Sequence, residues 1–141
     1  MTDQPAYTLD AWAVLAYLQA EEPAARRVLD ILQAAQRKEV TLTISMINLG
    51  EVYYRIGKVH GLEEADQILA DLRQIPMQII PADPEAVLAA ARLKMKHAIS
   101  YADAFAAATA LSQKATLLTG DPELKSIRGL FEVEGLTRHR P

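Results

Sequence analysis

The stretch Val40-Thr41-Leu42-Thr43-Ile44-Ser45-Met46-Ile47-Asn48-Leu49-Gly50-Glu51-Val52-Tyr53-Tyr54 changes its period halfway along. Up to Ile44, apolar residues alternate with threonine, the two-residue repeat of a strand. After Ser45 the apolar positions recur as Ile47, Leu49, Val52, Tyr53 and Ile56, the repeat of a helix, and Ser45 is a ready N-cap for it. A strand that runs directly into a helix is the building unit of a parallel sheet.

Outward from this unit the same alternation continues. Toward the start, residues 6–9 form a short apolar run that ends at Asp10, and the helical pattern Trp12, Leu15, Ala16, Leu18 follows at once. Pro23 opens a second helix, with Ala25, Val28, Leu29 and Leu32 on its apolar face. Toward the end, Gly61 breaks the central helix, and an amphipathic helix over residues 62–75 stops before Pro76. Residues 77–80 read as a third strand. Asp83-Pro84-Glu85 combines an N-cap, a proline at the first helical position and an acid in the first turn, so a helix to about residue 97 is expected. Residues 101–113, almost all alanine, phenylalanine and leucine, form another helix, residues 116–118 a fourth strand, and Asp121-Pro122 starts a short helix. Residues 131–136 alternate as a fifth strand. The expected fold is α/β, a parallel sheet of about five strands with helices on both faces.

The 141 residues fit a single domain. Only 6% are aromatic while alanine and leucine dominate, which suits helices packed tightly against a sheet. Cysteine is absent, removing disulfides, thiolate nucleophiles and zinc-thiolate sites, and pointing to a reducing cytoplasm. The start, Met1-Thr2-Asp3-Gln4-Pro5, has no basic region leading into an apolar run, and no apolar stretch is long enough to span a bilayer. A soluble, unprocessed cytoplasmic protein with no membrane partner is expected. The net charge of -3 gives the whole chain no electrostatic footprint for nucleic acid. Any basic patch is local: Arg26 with Arg27, Arg37 with Lys38, Arg55 with Lys58, or Arg92 with Lys94 and Lys96.

Four carboxylates lie in or just after apolar runs: Asp10, Glu51, Asp103 and Asp121. Asp10 and Asp121 follow strands directly, Glu51 lies one turn into its helix, and Asp103 sits in the first turn of another. Ligands of parallel α/β folds bind outside the carboxyl ends of strands, so the four have a shared address. Each also has a local explanation. Asp10 and Asp121 can cap the helices that follow them, Asp103 can complete a capping box with Ser100, and Glu51 can pair with Arg55. The Glu51 to Arg55 pair leaves Asn48, on the same narrow polar stripe, unexplained. Taken jointly, a cluster is more economical: four negative charges in a low-dielectric cleft repel unless a cation holds them. Hard carboxylate oxygens without clustered histidine select Mg²⁺ or Mn²⁺. His60, His97 and His139 show no ligand spacing and read as surface or packing residues.

The segments Tyr7-Thr8-Leu9-Asp10, Ser45-Met46-Ile47-Asn48-Leu49-Gly50-Glu51-Val52-Tyr53-Tyr54, Ile99-Ser100-Tyr101-Ala102-Asp103-Ala104-Phe105 and Leu118-Thr119-Gly120-Asp121-Pro122-Glu123 closely resemble, in order and context, the four-acid pattern of the PIN-domain family. Within that family the chain is most similar to VapC-type toxins of bacterial toxin–antitoxin pairs. The resemblance implies a three-layer α/β/α fold and a metal-dependent ribonuclease site of Asp10, Glu51, Asp103 and Asp121. It also implies an RNA substrate, a homodimer and neutralisation by a small antitoxin protein. Family members commonly carry a serine or threonine just after the first acid, where this chain has Ala11 and Trp12. Thr119 and Ser100 remain as hydroxyl donors, Asn48 is placed to orient Glu51, and Glu123 is either a further ligand or a first-turn acid.

On this reading one or two cations, about 4 Å apart if two, activate water for in-line phosphodiester hydrolysis, with Asp10 and Asp103 as central ligands. Two rivals stand beside it. One is an aspartyl-phosphate phosphatase using Asp10, which needs a second acid where Trp12 stands. The other is a PIN-like binding module with weak turnover, which the missing hydroxyl favours and the intact acids oppose. The apolar helices between residues 46 and 75 are the candidate dimer surface.

Overall fold

The computed structural model describes residues 4–127 and 129–139; Met1, Thr2 and Asp3 of the start quoted above lie outside them. Five strands, β1 (Ala6–Leu9), β2 (Thr41–Ser45), β3 (Gln78–Ile80), β4 (Thr116–Thr119) and β5 (Val133–Gly135), form one sheet in the order β3-β2-β1-β4-β5. Every pairing is parallel. Among the described residues seven helices flank the sheet: α1 (Ala11–Leu18), α2 (Ala24–Gln36), α3 (Met46–His60), α4 (Leu62–Arg73), α5 (Pro84–Lys96), α6 (Tyr101–Gln113) and α7 (Pro122–Lys125). The fold is the expected α/β/α sandwich.

The chain winds outward from β1 through β2 to β3, then crosses back to place β4 on the other side of β1. Such a reversal of strand order opens a crevice at the carboxyl ends of the two strands that flank it. Here those strands are β1 and β4, and Leu9 stands opposite Leu118 in their register. The next residues on each strand, Asp10 and Thr119, therefore meet.

Two apolar cores hold the sheet. Leu9, Leu42, Ile44 and Leu118 pack with Val14, Val28, Leu32, Leu49 and Val52 from α1 to α3, while Leu117 packs with Leu93, Phe105 and the alanines of α6. Leu117 and Leu118 point to opposite cores because successive strand side chains alternate. Thr8 and Thr43, buried and paired in register, join hydroxyls at 2.8 Å on the face away from Leu9 and Ile44. Ala104, Ala106, Ala107 and Ala110, all fully buried, let α6 lie close against β1, β2 and β4.

Several boundaries differ by a residue or two from the sequence expectation: β3 starts at Gln78, β4 runs on to Thr119 and β5 covers Val133–Gly135, while two further shifts have clear local reasons. Strand β2 runs one residue further than the alternation, through Ser45, because Ser45 pairs with Ile80 before its hydroxyl accepts the Ile47 N–H. Helix α4 ends at Arg73, and the turn before Pro76 closes on backbone bonds from Gln74 to Asp71 and Ile75 to Leu72. Helix α3 is less buried than its apolar sequence suggests: Met46, Ile47, Tyr54 and Val59 are exposed while Leu49, Val52 and Ile56 face the core.

Candidate active site

The four acids line a single cleft of about 520 Å³ at the carboxyl edge of the sheet, together with Trp12, Tyr54, Arg55, Lys58, His60 and Arg138. Each acid reaches the cleft through a different element. Asp10 follows β1 and caps α1, its Oδ1 accepting the Ala13 N–H at 2.8 Å. Its Oδ2 accepts a hydrogen bond from the Thr119 hydroxyl. That hydroxyl in turn accepts the Asp121 N–H at 3.0 Å. One threonine therefore ties the first acid of the chain to the backbone of the last.

Asp121 caps the short α7, with Oδ1 accepting from the Glu123 N–H at 2.9 Å. Asp103 lies in the first turn of α6 behind the Ser100 N-cap, whose hydroxyl accepts the Asp103 N–H at 3.1 Å. Glu51 pairs with Arg55 at 3.1 Å, one turn on along α3. The caps read for Asp10 and Asp121 and the Glu51–Arg55 pair are thus present, and of the Ser100–Asp103 box the Ser100 half is, so capping and clustering coexist. A cap uses one lone pair of one oxygen, whereas a carboxylate offers about four.

The electrostatics record the crowding. Burial pushes the Asp10 carboxyl up to about 7, against the hydrogen bonds from Thr119 and Ala13 and with further lift from the charges of Asp121 and Glu51. Asp103 is pushed up to about 8, first by burial, then by its hydrogen bond to Asp121 and the charges of Asp121 and Asp10. Two carboxyl groups this close disfavour charge on both, a repulsion that a cation between them would relieve. Carboxylate oxygens of Asp103, Asp121 and Glu123 all lie within 4.8 Å of one another. Glu123, exposed beside the half-buried pair, joins this oxygen set as well as standing in the first turn of α7.

Other expectations are corrected. Asn48 does not orient Glu51; it is 1% exposed, and its amide donates to the Ala102 carbonyl at 3.1 Å, fastening α3 to α6. His60, read as a bystander, lies at the cleft mouth beside Glu64, 3.4 Å away. Ala11 is buried, and Trp12 lies against Gly120, where a Cβ would stand 2.1 Å from the indole ring. No hydroxyl directly follows Asp10 in sequence, and the hydroxyl that contacts it comes from Thr119 on the neighbouring strand. Arg138 was not legible as a site residue, because it lies far along the chain in a segment with no motif.

The family model of the PIN domain matches residues 7–130. A search of curated proteins finds no sequence match. Among solved structures, the chain is similar to one in the crystal structure of VapBC2 from Rickettsia felis bound to a DNA fragment from their promoter, with 22% identity and a TM-score of 0.70, covering 94% of this chain and 99% of that one. It is also similar to a chain of DNA-bound VapBC from Salmonella typhimurium, with 15% identity, a TM-score of 0.70 and coverage of 94% and 98%. A third likeness is to Mycobacterium tuberculosis VapC20, described as a sarcin-ricin loop cleaving toxin, with 16% identity, a TM-score of 0.67 and coverage of 85% and 93%. At these identities the likenesses speak for the fold.

Proposed function

Because the chain belongs to the PIN domain family, we propose that it is a metal-dependent endoribonuclease and the toxin of a toxin–antitoxin pair. The observation that carries this reading is the convergence of Asp10, Glu51, Asp103 and Asp121, from four separate elements, on one cleft. Two of these acids are pushed toward protonation.

The donor set fits Mg²⁺ or Mn²⁺: all-oxygen, acidic, with Asp103, Asp121 and Glu123 close enough to share an ion. Asp10 completes it from β1. A bound ion of this kind supplies Lewis-acid activation of water and neutralises charge on the scissile phosphate. The chain supplies the rest. The Ala13 amide and Thr119 hydroxyl hold Asp10 by both oxygens, fixing its orientation. Asp103 and Asp121 would hold the ion between them, and it would offset the repulsion that raises Asp103. Arg55, holding Glu51 in a half-exposed pair, leaves that acid free to engage the ion directly or through water.

The phosphatase reading lacks its second acid: Trp12, packed on Gly120, stands where that acid is needed. The binding-module reading rested on the missing hydroxyl, whereas the Asp10 carboxylate takes one from Thr119. The partners consistent with this function are RNA, a small antitoxin and a second copy of the chain, for which Met46, Ile47 and Tyr54 on α3 offer exposed apolar surface. No helix among the described residues is long and apolar enough to cross a membrane.

The test is cleavage of a structured RNA with Mn²⁺, with Mg²⁺ and with EDTA. Cutting should need the metal, and Asp103→Asn should lower its rate at least about 100-fold, since even loss of a residue that only supports a metal ligand costs 10–100-fold. Folded protein that cuts under no condition, or cutting indifferent to Asp103→Asn, would falsify the nuclease.

A further inference from the structure

Arg138 is held as few surface arginines are. The backbone around it is laced to two other elements: Leu136 N–H donates to the Thr119 carbonyl at 2.7 Å, Ala24 N–H to Thr137 at 3.0 Å, and His139 N–H to Glu22 at 2.9 Å. Arg138 itself bridges Pro23. Its Nη1 donates to Glu21 Oε1 at 2.9 Å, and its guanidinium carbon lies 4.8 Å from the centre of the Trp12 ring. The Trp12 ring is fixed in turn by close contact with Gly120, in the loop that presents Asp121. The side chain keeps 24% of its surface and lines the acid cleft.

A cation fixed at the wall of an acidic cleft would be expected to neutralise one of the acids. This one does not. Among the described residues its ion-pair partner is Glu21, outside the four-acid set. It therefore stands beside the reacting centre and not on it. A guanidinium is a planar fork matched to phosphate oxygens, and stacking on a ring with one edge tied leaves a preorganised donor face at little entropic cost. Arg55 and Lys58 of α3 also line the cleft, so it carries three cations beside the four acids. That is the charge pattern a polyanion needs to cross a negatively charged floor on a chain of net charge -3.

We propose that Arg138 is a substrate-binding residue that clamps a non-reacting phosphate of the RNA strand, with Trp12 and Glu21 as the positioning residues that aim it. The inference rests on the nuclease reading and names how that site holds its substrate. Trp12 is covered by Arg138 on one side and packed on Gly120 at its edge, so its part is to carry the guanidinium.

The experiment measures binding of a labelled single-stranded RNA over a range of salt, and Mn²⁺-dependent cleavage, for wild type, Arg138→Met and Arg138→Lys. Arg138→Met should raise Kd and KM about 10-fold, as for loss of a charged hydrogen bond, and leave kcat within about twofold. The slope of log Kd against log salt should fall by about 0.7, the share of one phosphate contact on a single strand. Arg138→Lys keeps the charge and should keep the slope; a merely structural arginine would make both variants alike and move no slope. Unchanged Kd and slope in Arg138→Met, or a loss confined to kcat, overturns the clamp while wild-type cutting leaves the nuclease standing. Wild type that binds RNA without cutting, with a slope that still depends on Arg138, removes the nuclease and leaves the clamp. Wild type that does neither overturns both.

Discussion

At the scale of single residues, Thr119 has a larger part than its size suggests. Its hydroxyl donates to Asp10 and accepts from the Asp121 backbone, so it sets two acids against each other in one step. Thr119→Val keeps the shape and removes the oxygen. The buried Asp10 carboxylate and the Asp121 N–H would each lose a partner, a cost of about 1–3 kcal/mol read by urea denaturation. Mn²⁺ affinity, read by calorimetry, should fall about 10–100-fold, the usual effect of losing a residue that orients a ligand. Thr119→Ser should retain most of both. A Thr119→Val protein with wild-type metal affinity would mean that Asp10 is oriented by Ala13 alone.

At the scale of elements, the contact between α1 and the β4–α7 loop governs where Asp121 stands. Gly120 is needed there because the Trp12 ring occupies the space of a side chain. Gly120→Ala forces either the indole or the loop to move, and overpacking of this kind costs about 1–3 kcal/mol. Cleavage should fall further than stability explains, and Gly120→Ala combined with Trp12→Phe, which trims the clashing ring, should recover part of the loss. If the double variant is no better than the single one, the ring is not the obstacle. Most of the elements were legible in the sequence, since strand and helix periods switch cleanly at Asp10, Ser45 and Asp121 and side-chain caps mark the starts of α1, α3, α5, α6 and α7. The four acids were legible as a set because each broke an apolar run. What sequence does not carry is which strands are neighbours. The bond from Thr119 to Asp10 depends on β4 lying beside β1, and the stack of Arg138 on Trp12 depends on the end of the chain returning to the turn between α1 and α2. Asn48 misled for a related reason: its helical stripe pointed toward Glu51, but α6 came near enough to take its amide.

At the scale of the whole molecule, the acid cleft couples global stability to pH. Asp10 and Asp103 titrate in the folded chain at about 7 and about 8, above their ordinary values. Between about pH 4 and pH 8 the folded state therefore holds protons that the unfolded chain has released, and stability falls as pH rises through that window. With EDTA the melting temperature should be lower at pH 8 than at pH 5, and Asp103→Asn should flatten the difference. Mn²⁺, which takes the ionised carboxylates, should raise the melting temperature more at pH 8 than at pH 5. An EDTA-treated protein whose melting temperature climbs over that range would contradict the burial of these charges.

The strand order also has a bearing on synthesis. Strand β1 lies at the middle of the sheet, and its neighbour β4 (Thr116–Thr119) is made only after α6. A chain still emerging from the ribosome can pair β1 with β2 and build α1 to α4, yet it has neither Thr119 to hold Asp10 nor Asp121 to face Asp103. The cleft stays open-sided until β4 slots in beside β1, so a partly translated chain cannot assemble the acid set next to the very RNA that surrounds it. The acid set is complete only once β4 and the loop after it have been made.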